Sequence, residues 1–107
     1  MTTFDDRERS EEARFQHELE LGFKIRNRRN KMFGLWVAET HLGLTGEAAA
    51  AYAKDVVMAD FERPGGSDML AKVRRDLDGA GRQVSDHALE RELGVLEQKA
   101  RLQVMAE

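Results

Sequence analysis

Apolar residues recur along this chain at steps of three and four, the repeat of an amphipathic helix, and glycine and proline divide the pattern into four segments. The first segment carries Phe15, Leu19 and Phe23, then Met32, Phe33, Trp36 and Val37. It predicts a helix from about Phe15 to His41 with one apolar stripe turned toward a core. The polar stretch "RNRRNK" interrupts that stripe, so either its middle is solvated or the helix proper begins after Gly22, and the pattern alone leaves both open. In "HLGLTG", Leu42 to Leu44 make a turn and Thr45 stands at an N-cap, with Glu47 in the first turn where a helix favours negative charge. This second helix continues through Ala49, Tyr52, Ala53, Val56, Val57 and Phe61 until "RPGG" stops it. Ser67 or Asp68 caps a short third helix with the stripe Leu70, Val73 and Leu77, closed by Gly79 to Gly81. Ser85 caps a fourth, with Val84 and Leu89 at the positions of a hydrophobic staple, and Leu93, Leu96, Ala100 and Val104 follow on one face. Four helices on short loops predict an all-α fold, a compact four-helix bundle over residues 21–107.

The opening "MTTFDDRERSEEARFQHELE" does not fit that bundle. Seven of its residues are acidic (Asp5, Asp6, Glu8, Glu11, Glu12, Glu18, Glu20) and three are basic (Arg7, Arg9, Arg14), a local charge of 3 − 7 = −4. Apart from Met1, its apolar residues are Phe4, Ala13, Phe15 and Leu19. Ordering the backbone costs roughly 1–2 kcal/mol per residue, more than so few apolar groups offset. Residues 1–20 therefore read as a separate arm, disordered or partly helical when free.

Composition narrows the function classes. With 107 residues the chain is one domain by length, and about 85 residues outside the arm are enough for a small core. It has no cysteine, which excludes a disulfide framework, a thiol nucleophile and a thiolate metal site. A net charge of −3 argues against a dedicated nucleic-acid binder. The N-terminus lacks the apolar core of a signal peptide, and no apolar run approaches the roughly 18 residues of a membrane span, so a cytoplasmic protein is expected.

A search for catalytic groups returns little. His17, His41 and His87 fall on separate segments without the i, i+4 pairing of a metal site. "GLTGEAAA" lacks the Lys and Ser/Thr of a phosphate loop. No cofactor and no enzymatic activity is expected. The sharpest charge feature is "KIRNRRNK", with Lys24, Arg26, Arg28, Arg29 and Lys31. It reads as a solvated helix face, as a docking face for an acidic partner such as the chain's own arm, or as a surface for ligand phosphates. Two other classes therefore stay open beside an interaction protein: a small nucleotide-binding module, and a nucleic-acid-associated regulator whose binding collapses with salt.

Beyond the physical reading there is a resemblance. "TTFDDRE", "RRNKMFGLW", "LTGEAAAAYAKDVV", "ADFERPG" and the closing "QVMAE", in unbroken order from Thr2 to Glu107, resemble the zeta-type inhibitor subunit of the F1F0-ATP synthase of certain bacteria. The resemblance implies a four-helix bundle with an N-terminal inhibitory segment. That segment enters a catalytic interface between α and β subunits of F1, near γ, and blocks rotation in the hydrolytic direction. It further implies a cytoplasmic location, peripheral to the inner membrane through F1; a monomer when free, without direct membrane insertion, is the expectation, though the sequence alone leaves the oligomeric state open. Carried onto this chain, the partner-binding residues are Phe4, Asp5, Asp6, Arg7, Glu8 and Arg9, continuing through Glu11, Glu12, Arg14 and Phe15. Phe4 and Phe15 are eleven residues, about three helical turns, apart and would share one face of a helix. The family pattern often carries a further aromatic between them, where this chain has Glu11 beside Glu12. Gly22 stands where a hinge between arm and bundle is expected.

Overall fold

In the computed structural model the backbone of residues 3–62 and 67–107 and the side chains of residues 11–61 and 67–107 are described. Four α-helices and no strand occur among them: α1 (Thr3–Trp36), α2 (Gly46–Glu62), α3 (Ser67–Gly79) and α4 (Asp86–Met105). A π-helical segment, Val37–His41, extends α1 and carries the buried Val37 and Ala38. The first helix thus ends near His41 as the pattern predicts, but it begins at Thr3 rather than near Phe15 and runs unbroken through Gly22. The "RPGG" stop lies outside the described residues.

α1 is the organising element, packed along both α2 and α4, with α3 laid on α2. Its contact with α2 is made by small residues. Gly34 is buried against Ala53, and a Cβ added to Gly34 would stand 2.7 Å from the Cα of Ala53. Ala38, Ala49 and Ala53 are buried around it, so the two backbones approach as closely as side chains permit. Phe33 fills the centre of the main core with Val37, Val56, Met69, Val73, Leu77, Leu89 and Leu96. Trp36 is only partly buried; it stacks on Phe33 with ring centroids 5.9 Å apart. A second cluster of Ile25, Ala100 and Val104, joined by Leu21 and Met32, fastens α4 to the middle of α1.

The ends of the later helices follow from local chemistry. Gly81 at φ +71° closes α3, with its own N–H donating to the Asp78 carbonyl (3.0 Å) and that of Arg82 to the Leu77 carbonyl (2.9 Å), the paired bonds of a Schellman cap. Ser85 caps α4 by accepting the Ala88 N–H at 3.0 Å. Val84 and Leu89 both pack on the main core, which completes the staple. On the α2–α3 side, the Tyr52 hydroxyl donates to Asp76 at 2.9 Å and Lys72 donates to the same oxygen at 2.9 Å.

One stretch corrects the sequence reading. Phe15, Leu19 and Phe23 do not face the core: they are 63%, 54% and 45% exposed. All described side chains from 11 to 20 are exposed as well. The molecule measures 65 × 25 × 23 Å with a radius of gyration of 17.5 Å, against about 13 Å for a compact chain of this length. α1 therefore projects beyond the bundle as a single helix.

Two predictions follow from this packing. Gly34→Ala forces α1 away from Ala53 and is expected to destabilise the fold by about 1–3 kcal/mol, as overpacking does. Gly22→Ala meets nothing within 4 Å. It is expected to stabilise by about 0.5–1 kcal/mol through helix propensity. Chemical denaturation of the two variants beside the parent protein checks the opposite signs.

Burial, then the hydrogen bond to the Asp76 carboxylate and its charge, pushes the Tyr52 phenol well above its ordinary value of 10. The folded state holds this proton more tightly than the unfolded one. The contribution to stability is thus complete below pH 10 and is lost as pH rises through the folded value. Tyr52 is the one tyrosine of the chain, so phenolate absorbance reads it directly. The native protein should resist ionisation well past the midpoint of about pH 10 expected in denaturant.

Candidate functional site

The uncovered part of α1 has a definite geometry. Phe15 and Phe33 are 33 − 15 = 18 residues apart, five turns of 3.6, and so occupy the same angular position on the helix. Phe33 is wholly buried and Phe15 is 63% exposed. The face that forms the core inside the bundle therefore continues past it with nothing packed on it. The transition falls at Phe23, whose ring lies 5.5 Å from that of Phe61 in the last turn of α2. Phe61 and Met58, one turn apart on α2, are themselves 48% and 50% exposed. The Arg26 guanidinium sits 5.8 Å from the centre of the Phe23 ring and is tethered to Asp60 at 3.4 Å.

Of the expected partner-binding residues, Glu11, Glu12, Arg14 and Phe15 are exposed on this projecting helix. The backbone at Phe4, Asp5, Asp6, Arg7, Glu8 and Arg9 is helical, while their side chains lie outside the described residues. Leu19, Phe23 and Phe61 belong to the same exposed apolar surface, which Met58, one turn before Phe61, extends toward the cleft between α2 and α3; sequence reasoning assigned Leu19, Phe23 and Phe61 to the core instead. Periodicity fixes which way a side chain points, not whether a second helix reaches it.

The basic stretch is placed differently. Lys24 and Arg28 both pair with Glu107, at 3.0 and 2.6 Å. The hydrogen bond from Lys24, then that from Arg28, with the two charges adding, hold the Glu107 carboxyl below its usual range. Arg26 pairs with Asp60, and Arg29 with Glu97 at 3.1 Å. Among the described residues, four of the five cations thus meet acids of the chain's own folded part, and Lys31 has no such pair. Within this layer Asn30, 1% exposed, donates to Asp60 at 2.8 Å and accepts from Arg29 Nε at 3.0 Å. So "RNRRNK" is not simply solvated: its polar side chains tie α1 to α2 and α4.

Among the described residues, two of the open clefts carry charge in their walls. One of about 540 Å³ between α2 and α3 has Asp55, Asp68, Lys72 and Arg75 in its walls, and one of about 430 Å³ between α1 and α4 has Arg29, Arg101, Glu18 and Glu97. Both carry acids and bases together, unlike a site built for phosphates. No group of three His, Asp or Glu side chains suited to a metal occurs among the described residues. Nor is any described helix long and apolar enough to cross a membrane.

Comparison with known proteins gives one finding. The sequence model of a family described as ATPase inhibitor subunit zeta matches residues 1–103. No curated protein and no solved structure matches the chain significantly. Since the match spans nearly the whole sequence, from the projecting helix through all four helices of the bundle, the chain belongs to the ATPase inhibitor subunit zeta family.

Proposed function

We propose that this protein inhibits ATP hydrolysis by the F1 part of an F1F0-ATP synthase, with residues 1–20 as the inhibitory arm and residues 21–107 as the four-helix domain that carries it. The arm enters a catalytic interface between α and β subunits near γ and blocks rotation in the hydrolytic direction. The protein acts by binding and not by catalysis. The observation that supports this reading is the apolar face of α1 left exposed at Phe15 and Leu19, on a helix whose side chains from 11 to 20 are all exposed.

The physics suits such a role. A helical stretch without tertiary contacts is marginal in water, so residues 11–20 exchange between coil and helix until a partner covers the face. Binding then fixes the helix, and its apolar side chains must offset the lost entropy. Phe15 supplies one such anchor. Phe4, three turns earlier, supplies the next, and the charges of Asp5, Asp6, Arg7, Glu8, Arg9, Glu11, Glu12 and Arg14 pair with the walls of the cleft.

None of the described side chains from 11 to 18 is buried, so deleting residues 1–18 is expected to leave thermal unfolding nearly unchanged while abolishing inhibition. Phe4→Ala and Phe15→Ala should each weaken inhibition by about 1–3 kcal/mol, the loss typical of a buried interface anchor. Glu11→Phe, which adds an apolar side chain near the same face, should strengthen it. The measurement is the hydrolysis rate of the matching F1 against inhibitor concentration. A truncated protein that inhibits as well as the intact one overturns the assignment of the arm.

A further inference from the structure

The arm does not end where the bundle begins. Phe15, Leu19 and Phe23 run along α1 at steps of four, and the ring contact between Phe23 and Phe61 carries the same apolar surface across to Phe61 and Met58 of α2. These five side chains are all about half exposed, and together they present on the order of 500 Å² of apolar surface. We propose that the ATPase-binding surface extends from the arm across Leu19 and Phe23 onto Phe61 and Met58, and that it takes an apolar helix or helix-lined groove of the ATPase with a basic rim. This rests on the inhibitory reading above and adds a second, folded half to the interface.

Three observations select that occupant. The first is continuity. Inside the bundle the face of α1 at Phe33 is covered by α2, and beyond the end of α2 at Glu62 the same face needs an equivalent apolar element, which an ATPase already gripping the arm is placed to supply. The second is charge. Within residues 11–20, Glu11, Glu12, Glu18 and Glu20 flank the stripe, all exposed and without ion-pair partners among the described residues, against the cation Arg14. The third is area. About 500 Å² is short of the roughly 800 Å² per partner of a stable protein pair, so the surface suits an extension of a larger interface better than a dimer of this chain. The α2 half is also formed before binding: Phe23 packs on Phe61 beneath Arg26, which Asp60 tethers. A preformed platform loses little entropy on docking.

The test uses the full-length protein with substitutions on α2, away from the arm. Phe61→Ser and Met58→Gln are each expected to weaken binding to isolated F1 about tenfold with thermal unfolding little changed, and Phe61→Leu to restore most of it. If Phe61→Ser does not fold, Met58→Gln, at a half-exposed position, carries the test alone. Unchanged binding in the α2 variants, while Phe15→Ala still weakens inhibition, overturns the extension and leaves the inhibitory arm standing. Concentration-dependent dimerisation that Phe61→Ser abolishes, with F1 binding intact, assigns the patch to a second copy and likewise overturns it. An intact protein that neither binds nor inhibits F1 removes the parent reading as well.

Discussion

The approach of α1 to α2 at Gly34 and Ala53 is the constraint on which the remaining packing depends. With 2.7 Å between an added Cβ and the Ala53 Cα, no side chain other than hydrogen fits at residue 34 without displacing backbone. The close crossing brings Phe33 and Val37 of the α1 rod onto Val56, and α3 and α4 then close the same cluster with Met69, Val73, Leu77, Leu89 and Leu96. A bundle this small has little stability to spare, and its core is one interlocked cluster with a satellite at Ile25, Ala100 and Val104. Neither cluster draws a side chain from residues 11–20, which stay exposed on the projecting helix.

Polar groups set the register along the rod. Asn30 and Asp60 are buried together, with Arg26 and Arg29 reaching in from the surface and Glu97 holding Arg29 from α4. Isolated surface ion pairs contribute little, but a buried carboxylate without its partners is costly, so this layer disfavours any sliding of α2 along α1. It also stands where the cover that α2 gives to α1 comes to an end, while α4 runs on past it to Ile25. On one side lie Phe33 and the core; on the other lie Phe23 and Phe61, where covered apolar surface gives way to exposed.

Most of the fold was legible in the sequence because its signals are local. The Ser85 cap, the glycine closure at Gly81 and the staple of Val84 with Leu89 each depend on residues a few positions apart, and each is seen in place. Non-local facts were not legible. Asn30 reads as solvated because the acid that satisfies it, Asp60, stands thirty residues away. The five cations read as one basic face because Glu97 and Glu107 come from the far end of the chain. Phe15 and Phe33 share an angle on the helix, and only the length of α2 decides that one is core and the other surface. For the candidate site, sparse apolar content and dense charge set residues 1–20 apart, the family resemblance supplied an inhibitory role for them, and the exposure of Phe23 became legible only with the end of α2.

A folded bundle holding out an uncovered extension of its own core face, and completing that face with an ATPase, is the central claim. Amide hydrogen exchange of the protein alone and bound to F1 tests it most directly. In the free protein, residues 11–20 should exchange fast while Leu89 to Val104 are protected. On binding, protection should appear through residues 11–23 and around Met58 to Phe61, with the core of α3 and α4 unchanged. Protection of residues 11–20 equal to that of α4 in the free protein, or protection gained on binding only over α3 and α4, would contradict the account.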